Sequence, residues 1–284
     1  ASSIVAPVIP PSMLFIIYGT LTGASIADLF MAGIIPGFML GVGFIIVIGM
    51  MNHKQQFPKS EKASFNTFIK SFTQVLPAML IPFTIIFGIL GGVFTPTESA
   101  AIACVIAFII GFVYRELKLK MLPTILVNTV VNTATISFLI VTANLFGFII
   151  AYEQIPQLVA ESMLSISDNP LVFLLLVNIF LLLVGTVLDG IAALIILVPV
   201  MMPLLATYQI DPVHFGVIIC INLTIGLLTP PVGTGLFIVS SIADVKFERL
   251  VKAILPFLGM AIIVLLVLTY WEDAVLWIPN LYKD

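Results

Sequence analysis

Residues 223–235 read LTIGLLTPPVGTG, an apolar run that two prolines and three glycines interrupt. Each proline lacks a backbone N–H and clashes with the preceding turn, so a helix that reaches this point must break and leave carbonyl groups unpaired. Residues 8–12, VIPPS, repeat the interruption near the other end of the chain. The second prolines of the two pairs, Pro11 and Pro231, lie 220 residues apart. The two interruptions therefore look like two copies of one element.

The residues after the two proline pairs keep a similar order. A further proline follows 25 residues after each pair, at Pro36 and Pro256, and the tetrapeptide SIAD occurs in between, at residues 25–28 and 241–244. A doublet, a tetrapeptide and a distant proline in one order predict an internal duplication. Only nine residues precede Pro10, whereas a long helical sequence precedes the second pair. We therefore expect a comparable N-terminal half to be missing from this chain.

The composition places these elements in a membrane. Hydrophobic residues make up 61% of the chain and charged residues 9%, and the mean hydropathy is +1.25. A soluble domain of 284 residues could not bury so much apolar surface. The apolar runs have helical length and do not alternate as barrel strands do. We therefore predict an all-α polytopic membrane protein in contact with lipid, and the lack of a basic tract in the sequence argues against nucleic-acid binding.

Charged residues at the ends of two corresponding helices indicate their orientation. The helix predicted over residues 29–51 carries lysines after its C-terminal end, from Lys54 onward, whereas the helix over residues 247–270 has Lys246 and Arg249 at its start. Basic residues favour the cytoplasmic side. The two copies should therefore cross the membrane in opposite directions, as in secondary transporters with inverted repeats and a binding site at mid-membrane.

The sequence between the two copies contains recognisable helix boundaries. Residues 65–72 are predicted to form an interfacial helix before the chain re-enters the membrane at Val75. Thr95 and Glu98 have the spacing of a capping box, which predicts a helix that ends near Tyr114. Glu98 is then either the capping residue of this helix or a direct ligand.

A polar interruption, TANLFG at residues 142–147, divides the next apolar segment. We interpret it as the tip of a re-entrant hairpin, with Thr142 and Asn144 at the tip and residues 155–164 in the second arm. The alternative is one long kinked helix.

Asp189 lies inside an apolar run between Gly185 and Gly190. Carboxylates at membrane depth are functional by default, so Asp189 either takes part in a cation site or caps a helix. With backbone carbonyls, threonine hydroxyls and few carboxylates nearby, Na⁺ is favoured over Ca²⁺. Asp211 predicts a further helix start, at which His214 is either a residue of the first turn or a proton-transfer group.

Several of these segments together resemble one transporter family. The segments are IPPSMLFIIYG (9–19), GGVFTPTESAA (91–101), GTVLDGIAALIILVPVMMP (185–203), DPVHFG (211–216) and NLTIGLLTPPVG (222–233). Over nearly its whole length, the chain resembles the large membrane subunit of tripartite ATP-independent periplasmic (TRAP) transporters.

The resemblance implies a function and partners. It implies an elevator-type secondary transporter, not an enzyme, in which a Na⁺ gradient drives import of an organic acid, such as sialic acid or a C4-dicarboxylate, across the bacterial inner membrane. It also implies a small membrane subunit, separate or fused upstream, and a periplasmic protein that delivers the substrate. No cofactor is implied, and Na⁺ is the coupling ion.

The resemblance further implies which residues bind sodium. The second-repeat site comprises Thr142, Asn144, Gly185, Thr186, Asp189, Thr229, Pro230 and Gly233. A partial first-repeat site comprises Ser2, Ser3 and Pro10. The resemblance implies four parts of the chain. They are the end of the first repeat (1–51), a cytoplasmic link with an interfacial arm helix and a scaffold helix (52–90), the second repeat with the transport domain (91–245), and a C-terminal scaffold helix (246–284).

Two other classes of protein remain to be compared. A dicarboxylate/Na⁺ symporter that works without a binding protein shares the broken-helix plan. An intramembrane enzyme would need a catalytic dyad or a metal cluster, and neither His53 nor His214 lies in an HExxH motif. The only arginines, Arg115 and Arg249, lie at predicted membrane edges. A substrate carboxylate therefore meets either bound Na⁺ and helix N-termini or a basic group outside this chain.

Overall fold

The computed structural model describes residues 2–55, 64–154, 167–230 and 232–282, with Leu158, Val159, Glu161, Met163 and Ser165. These residues form helices and connections without a strand, so the prediction of an all-α membrane protein is confirmed. The helices are α1 (Met13–Thr22), α2 (Ile26–Gln55), α3 (Phe65–Leu90), α4 (Pro96–Val113), α5 (Leu122–Tyr152), α6 (Pro170–Gly185), α7 (Gly190–Tyr208), α8 (Pro212–Gly226), α9 (Thr234–Ala243), α10 (Phe247–Tyr270) and α11 (Glu272–Leu281). Six of them, α2 to α5, α7 and α10, are long and apolar enough to cross a bilayer.

The predicted helix starts are confirmed by their caps. The Thr95 hydroxyl accepts a hydrogen bond from the Glu98 N–H at 3.3 Å, and the Glu98 carboxylate accepts one from the Thr95 N–H at 2.8 Å. Asp211 accepts from the N–H groups of Val213 and His214 at 2.7 and 3.1 Å. Both caps satisfy donors that the first turn of a helix leaves unpaired.

The chain divides into two compact units, residues 1–51 with 139–284 and residues 52–138. In the smaller unit α3 packs along α4. Residues 65–72 are not a separate helix, because α3 continues to Leu90 through Pro77 and Pro82, and their location in the membrane interface stays a prediction. Prolines inside a membrane helix kink it without ending it when the freed carbonyls find other partners.

The core of the larger unit is α8. Every residue from Val213 to Gly226 is buried, and α1, α6, α7, α10 and α11 pack around this helix. Tyr18 on α1 is also buried, and its hydroxyl donates to the Pro212 carbonyl oxygen at 2.7 Å. An apolar helix that is covered on all sides is the expected centre of a helical bundle.

Helices α6 and α7 form a hairpin. The Phe173 ring near the start of α6 stacks on the Tyr208 ring at the end of α7, with 4.3 Å between the ring centroids. The Tyr208 hydroxyl also donates to the Ser167 carbonyl oxygen at 3.0 Å. The two helices are therefore antiparallel, with the connection 186–189 as their tip.

The hairpin predicted at residues 142–147 is wrong in its position, because α5 runs through this segment. The Thr142 hydroxyl donates to the Leu139 carbonyl oxygen of the same helix at 2.9 Å. A hydroxyl that is satisfied in this way does not interrupt a helix, and a single glycine such as Gly147 costs only about 1 kcal/mol. The alternative of one helix holds only as far as Tyr152, where α5 ends, and Gln154 just after it has a φ of 53°. The proposed second arm, residues 155–164, lies mostly outside the described residues.

The structure bears on the duplication in two ways. Helices α1 and α9 each have 10 residues after a proline pair, and each ends at a residue with positive φ, Gly23 at 75° and Asp244 at 49°. Helices α2 and α10 follow, each with an internal proline. The tetrapeptide SIAD, in contrast, spans the start of α2 in one copy and the end of α9 in the other. It is not an equivalent position, and the duplication is supported by the helices instead.

Candidate functional site

The functional candidate is a pair of helix breaks that contact each other. One break separates α6 from α7 after Gly185, and the other separates α8 from α9 after Gly226. A Cβ atom added to Gly226 would lie 2.6 Å from the Gly185 Cα atom. The Gly233 N–H donates to the Thr186 carbonyl oxygen at 3.0 Å. The break after Gly185 and the break after Gly226 therefore form one site.

Local sequence explains why each helix ends where it does. After Gly185 the chain makes a turn that ends at Asp189, whose carboxylate accepts from the Ile191 N–H at 3.0 Å and caps α7. After Gly226 the pair of prolines prevents the helix from continuing, and Gly233 has a φ of 55°. This left-handed conformation suits glycine because it has no Cβ atom.

The ends that meet at Gly185 and Gly226 are both helix C-termini. A helix C-terminus carries a partial negative charge and carbonyl groups that lack partners within the helix. The Thr186 and Thr229 hydroxyls donate to the Leu183 and Ile225 carbonyl oxygens, both at 2.8 Å. Each hydroxyl oxygen keeps its lone pairs, so the site offers oxygen ligands in a field that favours a cation.

Asp189 is the carboxylate next to the breaks. It is exposed and caps α7, and it lines a cavity at the tip of the hairpin. The cap that the sequence offered as an alternative is therefore present. Direct contact of Asp189 with a cation stays a prediction. It is compatible with the cap, because the cap uses one carboxylate oxygen and leaves the other lone pairs of the group available.

The cavity beside the breaks has a volume of about 380 Å³. The N-terminal ends of α1 and α7 both line it, with Ser12 and Gly190 among the lining residues. Helix N-termini carry partial positive charge and unpaired N–H groups. Apart from Asp189 and the Ser12 and Thr224 hydroxyls, the lining is made of apolar side chains and backbone. The size thus suits a small organic molecule, and the two helix ends offset part of the negative charge that Asp189 brings to the lining.

Most of the predicted sodium-site residues lie at the paired breaks. They are Gly185, Thr186, Asp189, Thr229, Pro230 and Gly233. Thr142 lines a different cavity, of about 340 Å³, together with Ala192, Ile195 and Ile196 of α7. The side chain of Asn144 is outside the described part of the chain.

The first-repeat residues lie before α1. Ser2 and Ser3 begin a short 3₁₀ helix and are exposed, whereas Pro10 is buried. The cavity is lined by Pro11 and Ser12 instead. Ser12 caps α1, because its oxygen accepts from the Phe15 N–H at 3.4 Å, and its hydroxyl donates to the Pro7 carbonyl oxygen. The sequence signal for Ser12 was its place directly after the proline pair.

Sequence reasoning missed three buried polar residues behind the breaks. Asn178 on α6, Asn222 on α8 and Thr269 on α10 are each no more than 2% exposed. They form hydrogen bonds to one another across the three helices. The available signal was an amide or hydroxyl in the middle of an apolar run.

Comparison with known proteins places the chain in a family. Residues 1–274 match the model of the "Tripartite ATP-independent periplasmic transporter, DctM component". The chain is 40% identical over 283 residues to the sialic acid TRAP transporter large permease protein SiaM of Vibrio cholerae, which covers 99% of this chain and 66% of that protein. It is 36% identical over 273 residues to the C4-dicarboxylate TRAP transporter large permease protein DctM of Pseudomonas aeruginosa, covering 96% of this chain and 64% of that protein.

A third relative is a longer protein. The chain is 36% identical over 282 residues to the sialic acid TRAP transporter permease protein SiaT of Haemophilus influenzae, covering 99% of this chain and 46% of that protein. The chain thus spans at most about two thirds of the length of these relatives. Among the described residues, six helices are long and apolar enough to cross a membrane. The chain is a multi-pass protein of the bacterial inner membrane, and it belongs to the DctM component family of tripartite ATP-independent periplasmic transporters.

Proposed function

We propose that this chain contains the sodium site and part of the substrate site of a secondary transporter that imports an organic acid. The observation that carries the proposal is the contact between the two helix breaks, where Gly185 meets Gly226 and Gly233 is bonded to Thr186. Broken helices that meet within a membrane protein are a common way to build ion and substrate sites.

Sodium is the proposed coupling ion. Two helix C-termini, the oxygens of Thr186 and Thr229 and the nearby Asp189 carboxylate supply hard oxygen ligands with little formal negative charge. Ca²⁺ usually recruits several carboxylates, so this set of groups favours the monovalent ion. Bound Na⁺ would supply positive charge at the breaks, next to the cavity.

The proposed substrate is an organic acid. The cavity lies against the positive N-terminal ends of α1 and α7, which offset part of the Asp189 charge. Its lining contains no lysine or arginine, so bound Na⁺ would supply the further positive charge that a carboxylate needs. Relatives at 40% and 36% identity carry names that refer to sialic acid and to C4-dicarboxylates. The support for the acid class is thus the field of the helix ends together with these relatives.

The hairpin α6–α7 is the proposed re-entrant element of an elevator-type mechanism. Helix α6 has 16 residues, or about 24 Å at 1.5 Å per residue, which is shorter than the roughly 30 Å hydrocarbon core. Its tip would then lie at membrane depth, where irregular backbone needs protein or water around it. We propose that the hairpin, the breaks and the cavity move as one body with substrate and Na⁺ bound.

Two partners are part of the proposal. The family name describes a tripartite transporter, and we propose a small membrane subunit and a periplasmic binding protein as the other two components. A relative in Oleidesulfovibrio alaskensis, an isethionate TRAP transporter permease protein named DctMQ, is 37% identical over 273 residues. This chain covers 43% of that protein, so a small subunit fused to the large one is compatible with the resemblance.

Reconstitution of the full-length transporter in liposomes tests the proposal. We expect uptake of an organic acid only with an inward Na⁺ gradient and with the acid presented by the binding protein. Uptake driven equally by a proton gradient would refute sodium coupling. Uptake that persists without the binding protein would instead support a symporter of two-component or single-chain type.

A further inference from the structure

A cluster of buried amides joins three helices behind the paired breaks. Asn222 on α8 donates through its Nδ2 atom to the Oδ1 and carbonyl oxygens of Asn178 on α6, at 2.8 and 3.0 Å. The Nδ2 atom of Asn178 donates to the Thr269 hydroxyl on α10 at 2.9 Å, and this hydroxyl donates to the Leu265 carbonyl oxygen at 2.7 Å. The cluster is the amide clamp, defined as Asn178, Asn222 and Thr269.

The amide clamp is not an efficient way to gain stability. Asn222 is fully buried, and its Oδ1 atom has no hydrogen-bond partner in the described part of the chain. A buried polar atom without a partner is destabilising, whereas leucine side chains would pack in such an interface without this cost. A buried asparagine is best attested as a device that fixes the register of neighbouring helices at the expense of stability.

The positions of the two amides relate them to the breaks. Asn178 lies seven residues before Gly185 on α6, and Asn222 lies four residues before Gly226 on α8. Seven and four residues are close to whole helical turns, so each asparagine shares a helix face with the glycine that follows it. The same faces of α6 and α8 thus carry the amide contact and then the glycine contact.

A change of register between α6 and α8 would separate the breaks. The bond between the Gly233 N–H and the Thr186 carbonyl oxygen is 3.0 Å long, and an axial shift of one residue is about 1.5 Å. Such a shift would lengthen or misalign this bond and so weaken it. Apolar contacts between α6 and α8 are not directional, whereas the amide bonds have one best register.

We propose that the amide clamp is a positioning device that holds α6 and α8 in the register at which the paired breaks bind Na⁺. Asn178 and Asn222 do not touch the ion but set the spacing of the groups that do. This inference rests on the proposed sodium coupling and adds residues that act through Gly185 and Gly226.

The test compares four single variants and one double variant with the wild type in the full-length transporter. Asn222→Leu and Asn178→Leu remove the amide bonds, and Leu174→Ala is the matched control. Leu174 is buried one turn before Asn178 on the same helix, so its truncation loosens α6 without removing a hydrogen bond. Asn222→Ser is a milder variant in case the leucine variants do not fold. The measurements are the Na⁺ concentration for half-maximal uptake and the rise in Tm that NaCl gives over choline chloride.

We expect both leucine variants to raise the half-maximal Na⁺ concentration by roughly 3-fold to 20-fold, the range that the loss of one interhelical hydrogen bond in a membrane protein implies. The double variant should raise it by less than the product of the two single effects, because the bond between the two side chains is lost only once. Leu174→Ala should lower the Tm in both salts without changing the Na⁺ concentration required.

Two results would overturn the inference, and they are distinguishable. If the wild type responds to Na⁺ and the leucine variants need no more Na⁺ than Leu174→Ala, the amide clamp is structural only. If the wild type itself has no Na⁺ response in uptake or in Tm, the proposed function fails and the inference fails with it. The Asn222→Ser variant gives the same decision at lower risk to folding, with a smaller shift expected.

Discussion

Substitution of Gly226 by alanine is the sharpest test of the paired breaks. The added methyl carbon would lie 2.6 Å from the Gly185 Cα atom, 2.7 Å from its carbonyl carbon and 3.0 Å from its oxygen. All three are backbone atoms, so no side chain can rotate away. Ordinary carbon contacts are about 3.5–4.0 Å, so the two backbones must separate by about 1 Å.

That separation has a predictable effect on stability and on sodium binding. Overpacking of this kind costs roughly 1–3 kcal/mol of folding free energy. It also stretches the bond between the Gly233 N–H and the Thr186 oxygen from 3.0 Å toward 4 Å, roughly, a distance at which it no longer counts as a hydrogen bond. If only the net value of that bond, about 1 kcal/mol, is lost from the sodium-bound state, the half-maximal Na⁺ concentration rises about 5-fold.

The assay is the change in Tm between NaCl and choline chloride, together with Na⁺-dependent uptake by the reconstituted transporter. Gly259→Ala is the matched control, because a Cβ atom at Gly259 in α10 would meet nothing within 4 Å. The Gly259→Ala variant shows how much the Tm changes when a helical glycine becomes alanine without a backbone clash. A Gly226→Ala protein with the Tm and the Na⁺ response of the control would refute the contact between the breaks.

Three further substitutions address single groups. Asp189→Asn keeps a good helix cap and removes the charge, so we expect weaker Na⁺ dependence of uptake at nearly unchanged Tm; an unaltered Na⁺ response would remove Asp189 from the site. Thr229→Val removes the hydroxyl at the second break and should raise the Na⁺ concentration for half-maximal uptake roughly several-fold. An unchanged Na⁺ concentration would mean that Thr229 only shapes the break. Tyr18→Phe removes the bond to the Pro212 carbonyl and should lower stability by about 1 kcal/mol, measured as Tm, and a changed Na⁺ response would contradict its structural role.

Local chemistry explains which helix breaks could be predicted from the sequence. Gly185 is followed within four residues by Asp189, which caps the next helix, and Gly226 is followed by a proline pair. Gly147 has neither a cap nor a proline directly after it, and the nearby Thr142 hydroxyl bonds to its own helix. A re-entrant tip therefore needs a helix stop followed by a helix start, and polarity alone is a poor guide.

Contacts between distant segments could not be predicted in the same way. Nothing in the local sequence says that Gly185 meets Gly226, or that Asn222 bonds to Asn178, because both contacts depend on how α6 packs along α8. Glycine at both positions allows the two backbones to approach closely, because it has no Cβ atom. The repeated tetrapeptide SIAD wrongly suggested equivalent positions in the two copies, because a short sequence match can lie at different positions of two helices.

The arrangement of helix ends suggests how sodium and an acid are coupled in the proposed mechanism. Residues 186–189 connect the C-terminal end of α6, which favours a cation, to the N-terminal end of α7, which faces the cavity and favours an anion. An ion that fixes this short connection also fixes the N–H groups at the start of α7. The acid then meets a preformed site and neutralises part of the added charge. Because such coupling is reciprocal, a bound acid must raise sodium affinity by the same factor by which sodium raises affinity for the acid.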